Sequence, residues 1–271
     1  MTQPTDAQLT EVEQWRSFRE QRDSSLAVGH GWLTLTSLQW LPAEPSALEL
    51  VPGRWSASVP TAEPGATLTV RASDGVTLVS TGEPVDGTIE LSLPDGGSEN
   101  WVRYQDTVVE LAVRGGRYVV RTRDNTAPTF TRFDGVPVFE YNSFAVSDGH
   151  YTAFPAAREI PIRTAHPEVD DVAQATGTVT FAIGGDDHTL LAEQQRDGSL
   201  KVAFHDATNE DTTAEWRFLV TDRVSSDGRV QLDFNRSLNY PSAFTAFGTC
   251  PRPIDGNHIS VPVQAGEQQP A

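Results

Sequence analysis

Cysteine, lysine and methionine are almost missing from this chain of 271 residues: Cys250, Lys201 and Met1 are each the only residue of their kind. One cysteine excludes an intramolecular disulfide. Basic charge is also scarce, with 20 Lys and Arg against 37 Asp and Glu and a net charge of −17. So acidic a chain repels phosphate backbones and anionic lipid surfaces, because it carries no basic stripe to release counterions. Neither nucleic acid nor membrane is therefore expected as a partner; the charge by itself reads as solubility or adaptation to salt. Apolar runs stop at about 4–6 residues, far below the roughly 20 that a membrane helix needs. The opening MTQPTDAQLTEVEQW has no basic stretch leading into an apolar one, so no secretory leader is read and the cytoplasm is the expected location. The six histidines (His30, His150, His166, His188, His205, His258) form no His-x-His pair or His/Cys box. There is no P-loop and no dinucleotide fingerprint. No metal and no organic cofactor is expected.

What the chain does have is turn chemistry. Its 21 glycines and 18 prolines recur at short intervals, which favours many strands over long helices. Residues from about Thr5 to Asp23 read as one amphipathic helix. Thr5 with Gln8, and Thr10 with Glu13, have capping-box spacing, and Leu9, Val12, Trp15 or Arg16, and Phe18 or Arg19 trace one stripe. This helix is expected to cover an edge or open end of the β core. From Ala47 to Asp124 short alternating runs (TLTVRA, TIELSL, VVELAV, RYVVRTRD) are separated by Asp-Gly and Gly-Gly breaks, a hairpin signature. A second series runs from VPVFEYN to ISVPVQA. The fold class expected is mainly β: an N-terminal helix (1–28), a β-sandwich module (29–126) and a C-terminal β module (127–271) that is a barrel or a second sandwich.

The order of certain words resembles an uncharacterised, mostly bacterial family, the domain of unknown function 1684. At the front it rests on Trp15, Arg19 and Gly31-Trp32-Leu33-Thr34-Leu35. In the middle it rests on Arg114-Gly115-Gly116-Arg117-Tyr118 with Arg121, Arg123 and Asp124, then Phe133-Asp134-Gly135. The end carries the most specific set: Phe204-His205-Asp206-Ala207-Thr208, Arg217, Leu232-Asp233-Phe234-Asn235, Cys250-Pro251, Asn257 and Ala265-Gly266-Glu267. The resemblance implies a map of a site and no reaction. Three positions depart from the family pattern: Ser242 stands where a Cys is expected, Ala214 where a Tyr is expected, and Ile254 where the last Pro of Cys-Pro-x-Pro-Pro is expected.

The segment Leu232–Glu267, with an upstream strand, is where function is expected. In VAFHDAT, Asp206 shares the face of Val202 and Phe204, and Arg217 is its natural partner. Asp206 is then a general acid/base or ligand anchor; alternatively it forms a buried pair with Arg217, or an Asx turn closing the strand. Asp233 and Asn235 either present polar groups to a ligand or tie down the loop that follows. Glu267 either titrates in a reaction or pins the C-terminus to an arginine. Cys250 reads as buried and inert more readily than as a nucleophile paired with His258. The expectation is an enzyme acting on a small polar molecule without organic cofactor, hydrolytic or isomerising. Asp206, Asp233 and Glu267 are its candidate catalytic groups, and Arg217, Asn235, Tyr240, Asn257 and His258 its ligand-binding groups. The alternative is a non-catalytic module that binds a small ligand or a peptide. Either way the expected partner is a small molecule; the oligomeric state is left open.

Overall fold

A computed structural model describes residues 10–58 and 65–270. The first helix, α1 (Glu11–Leu26), begins where the second capping box places it. The Thr10 amide donates to Glu13 Oε2 at 2.8 Å and the Glu13 amide to Thr10 Oγ1 at 3.3 Å. The other candidate box, Thr5 with Gln8, lies outside the described residues. The inward positions of α1 are Trp15, Arg19 and Leu26, with Val12 and Arg22 partly covered. The stripe has helical spacing, yet two of its members are arginines.

Eight strands follow: β1 (Leu35–Trp40), β2 (Arg54–Ala57), β3 (Ala66–Val70), β4 (Val76–Leu78), β5 (Gly87–Leu91), β6 (Ser98–Tyr104), β7 (Thr107–Arg114) and β8 (Arg117–Arg123). They form an antiparallel five-stranded sheet in the order β1-β8-β7-β6-β4 and a three-stranded sheet, β2-β3-β5. Trp55, Leu68 and Val70 from the smaller sheet meet Val102, Val109, Leu111, Val113 and Val120 from the larger in one core. That is sandwich packing, centred on the edge-on pair Trp55–Trp101 at 5.9 Å. Alternation predicts this face. The other face of β7 and β8 holds Glu110, Arg121 and Arg123, and these are buried too.

After a short helix, α2 (Pro128–Thr131), come β9 (Val146–Arg163), β10 (Asp170–Ile183), β11 (Asp186–Gln194), β12 (Leu200–Asp206), β13 (Arg217–Val220), β14 (Arg229–Asp233), β15 (Leu238–Asn239) and β16 (His258–Ile259). The sheet order is β14-β9-β10-β11-β12-β13-β15, with β16 lying parallel to β12. Of the two forms expected for this module, the barrel is not found: the sheet is open. Its end strands β14 and β15 are joined through the 3-10 turn Phe234–Arg236. In that turn the Asn235 backbone amide donates to Asp233 Oδ1 and its side-chain amide to the Asn142 carbonyl, away from any closing ladder. Val179, Phe181, Leu190, Val202, Phe204, Leu232 and Phe234 are among the core residues.

By compactness the chain forms two units, 26–133 with 245–249, and 1–25 with 134–244 and 250–271. Among the described residues no helix is long and apolar enough to cross a membrane.

Candidate functional site

Asp206 ends β12, a strand whose alternate residues Leu200, Val202, Phe204 and Asp206 are all buried. A carboxylate there must be fully partnered, and it is. Oδ1 accepts from the Thr208 amide (2.9 Å), the Thr208 hydroxyl (2.5 Å) and the Val263 amide (3.1 Å). Oδ2 takes Nη2 of Arg217 at 2.8 Å. The Asx turn and the buried pair thus coexist. Arg217, with no exposed surface, also donates to the carbonyls of Val263, Ala265 and Glu267 at 2.9, 2.5 and 3.1 Å. Burial lowers this guanidinium from its ordinary value, against the opposing pull of Asp206 and Glu267. Together the pair fastens the final segment onto β12 and β13.

Glu267 is the second fastener. Its buried carboxylate accepts from Nη1 of Arg19 at 2.7 Å and Nε of Arg22 at 3.0 Å on one oxygen, and from the Asn239 amide at 2.6 Å on the other. It therefore pins both the C-terminal segment and α1. Asp233 and Asn235 form a third knot. Asp233 Oδ1 accepts from the Asn235 amide at 3.1 Å and from its side chain at 2.8 Å. The Asn235 side chain also exchanges two bonds with the Asn142 backbone, at 2.8 and 2.9 Å. The Asn235 carbonyl accepts the Trp15 indole N–H at 3.1 Å. Asp233 keeps partial exposure and lines a cavity of about 150 Å³ with Glu11, Tyr141 and Arg236. His258 is exposed, and Cys250 is buried.

Asn257 has a different task. Strands β11 and β12 pair at Glu193–Lys201 and Gln194–Leu200. Continued in that register, the ladder would join Leu191 to Ala203. Instead the Asn257 amide stands between them. Its Oδ1 accepts from the Leu191 N–H at 2.8 Å, and its Nδ2 donates to the carbonyls of Leu191 and Ala203, both at 2.9 Å. An asparagine amide carries the same donor and acceptor as a peptide group, so it substitutes for the missing strand contact. Its own carbonyl accepts from the His205 amide at 2.9 Å, and β16 then runs beside β12. The sheet is wedged apart without leaving backbone groups unsatisfied.

A cavity of about 170 Å³ occupies the split, bordered by Leu191, Lys201, Ala203, Tyr240, Pro251 and Asn257 among others. Tyr240 and Arg252 also border a second cavity of about 260 Å³, with Glu215, Trp216, Ser242 and Ala214. Tyr240 is held by Phe218 (ring centroids 4.5 Å) and Trp216 (6.5 Å). Burial raises its phenol well above the usual range, with smaller contributions from Cys250 and Glu193. Arg252 lies 4.5 Å over the Trp216 ring and grips the Glu215 carboxylate with both terminal nitrogens. The Trp216 indole N–H is buried without a partner among the described residues. Lys201 contacts the rings of Tyr240 (5.2 Å) and Phe218 (5.5 Å); among the described residues no ion pair involves it.

Of the eight candidate residues, Tyr240 and Asn257 meet at one cavity. Asp206, Arg217 and Glu267 share a closed network, Asp233 and Asn235 share another, and His258 stands apart. Lys201, Trp216, Glu215 and Arg252 were not singled out from the sequence. The one available signal was that the chain's single lysine falls within a core strand. Among the described residues no group of three or more His, Cys, Asp or Glu side chains is placed to hold a metal ion.

No match was found among the curated proteins. Among solved structures, the chain is similar to an uncharacterized protein of Haloarcula marismortui determined by solution NMR. The two are 23% identical, the match covers 51% of this chain and 78% of that one, and the TM-score is 0.43. The model of one family, described as "Protein of unknown function (DUF1684)", matches residues 131–268, which include β9 to β16 with Asp206, Arg217, Asp233, Asn235 and Glu267, and the chain belongs to that family.

Proposed function

We propose that the C-terminal unit is a binding module for a small ring-bearing molecule with an acidic group, and that it binds without turnover. The observation that carries this reading is the cavity in the β11–β12 split, where Lys201, which forms no ion pair among the described residues, borders walls that are largely apolar. Ile162, Val172, Leu191, Pro251, Ile254 and the Tyr240 ring border the space. A dry cavity of roughly 150 Å³ accepts a molecule the size of benzene, so about 170 Å³ suits a single ring. The Lys201 ammonium is the natural partner for a carboxylate on that ring. Asp171 and Glu193 border the same cavity and disfavour a ligand with two negative groups.

The non-catalytic form is favoured because two of the three candidate acid/base groups, Asp206 and Glu267, have no exposed side-chain surface. Asp233 borders a different cavity. The departures at Ala214 and Ser242 both border the adjoining cavity, which suits a ligand that differs from member to member.

The test is a 1H–15N NMR titration with benzoate, benzyl alcohol and benzylamine. Benzoate is expected to shift the amides of Lys201, Tyr240 and Asn257 saturably. Lys201→Met is expected to weaken it about tenfold, the loss of one charge-assisted bond. Preference for benzylamine would remove the acidic group from the reading, and silence from all three compounds would remove the cavity itself.

A further inference from the structure

A second pocket lies in the sandwich unit, outside the residues matched by the family model. It arises from the register of β7 and β8. Glu110 faces Arg121 directly and Val108 faces Arg123, while Val109, Leu111 and Val120 point into the core. The three charged side chains therefore project together from the other face of the sheet. They are not solvated there: the side chains of Arg121, Arg123 and Glu110 are 1%, 9% and 5% exposed.

One carboxylate serves two guanidiniums. Glu110 Oε1 accepts from Nη2 of Arg121 at 2.5 Å. Its Oε2 accepts from Nε and Nη2 of Arg123 at 3.0 and 2.5 Å. Burial opposes ionisation of Glu110, but Arg121 and Arg123 together outweigh it and hold the carboxyl below its ordinary value. Arg123 completes its set on the carbonyls of Gly31 (2.7 Å) and His30 (3.3 Å). Arg121 does not: its Nε and Nη1 are buried with no hydrogen-bond partner among the described residues. An arginine cannot shed its proton to relieve this, and a buried donor left unsatisfied is costly.

Arg121 borders a cavity of about 320 Å³ with Trp32, Arg114, Arg123, Glu110 and the exposed Glu99 among its walls. Arg114 is held by the carbonyls of Gly96, Gly97 and Val113 at 3.0, 2.9 and 2.7 Å. The guanidiniums of Arg121 and Arg123 each lie 5.3 Å from the Trp32 ring, which fixes their planes. Two guanidiniums, Arg121 and Arg123, thus share the one Glu110 carboxylate, in a chain whose net charge is −17. The cationic excess is local and rigidly held.

We propose that this pocket binds a small oxyanion, a carboxylate or a phosphate group, which takes the unpartnered N–H groups of Arg121 and balances the second guanidinium. A planar guanidinium held in place by an aromatic ring and a shared carboxylate is preorganised for such a ligand. The site is separate from the Lys201 cavity, and neither reading depends on the other.

The experiment follows the Arg121 Nε–H and the Trp32 indole N–H by 15N NMR. The protein is titrated with inorganic phosphate, with acetate and with chloride at matched ionic strength. A saturable shift with phosphate or acetate beyond that with chloride is expected, and whichever anion gives it identifies the ligand chemistry. Arg121→Met is expected to weaken that binding about tenfold or more, while Lys201→Met leaves it unchanged. Equal responses to all three anions in the wild type would overturn the proposal without recourse to any variant. So would unchanged affinity in Arg121→Met.

Discussion

Glu267→Gln separates a fastening role from a catalytic one. The substitution preserves shape and removes charge. If the remaining oxygen stays with Arg19 and Arg22, the new amide NH2 faces the Asn239 N–H, donor against donor, where a 2.6 Å bond existed. If the amide flips, both arginines face NH2 instead. Either way a buried charge loses its partner, since Arg19 and Arg22 side chains are 8% and 16% exposed and Glu267 not at all. Removing one member of a buried pair costs roughly 3–5 kcal/mol. Arg19 keeps Asp23 at 3.3 Å and Arg22 keeps the Asn239 carbonyl at 2.9 Å, so the lower end, about 3 kcal/mol, is expected. With a urea slope of about 3 kcal/mol per M, the unfolding midpoint of the C-terminal unit falls by roughly 1 M. Native-state hydrogen exchange should show the α1 amides losing protection by a similar free energy. Combining Glu267→Gln with Arg19→Met should cost less than the sum of the two, because both act on one contact. A midpoint within about 0.2 M of wild type, with α1 protection unchanged, would refute the fastening argument.

Asn257→Ala leaves the Leu191 N–H and two carbonyls facing an empty space between β11 and β12. We expect a loss of about 3 kcal/mol, read by urea unfolding, and loss of benzoate binding. At Gly177, beside the irregularity in the β9–β10 pairing, a Cβ would meet the Thr152 carbonyl and the Tyr151 ring. Gly177→Ala should therefore cost about 2 kcal/mol in the same assay, and a neutral result would contradict the packing. The stability contributed by the lowered Glu110 carboxyl is present above its ordinary value of 4.5 and lost as pH falls through its lower folded value. The gap in melting temperature between wild type and Glu110→Gln should narrow as pH falls from 4.5; a gap independent of pH would exclude ionised Glu110 as its source. Buried Cys250 should react with a thiol reagent slowly in the native protein and fast in urea, and fast native reaction would reopen its nucleophilic reading.

Local rules made much of this protein legible in its sequence. The Thr10–Glu13 box starts α1 because capping needs only residues three apart. The alternation Leu200-Val202-Phe204-Asp206 placed a carboxylate on a core face, and a guanidinium's fit to a carboxylate made Arg217 its natural partner. Mainly β architecture followed from turn residues between short alternating runs. Tertiary structure decided what these residues do. Asn257 reads as a ligand-binding amide until the register of β11 and β12 shows it standing in for a strand contact. Glu267 reads either as a titrating group or as a pin to an arginine, until Arg19 and Arg22, 248 and 245 positions away, close around it. Arg121 and Arg123 stand at alternate positions of one strand, and only the fold shows that face buried over a single carboxylate. In each case the partner is remote in sequence, and a side chain's free hydrogen-bonding capacity is a property of the assembled neighbourhood rather than of the residue.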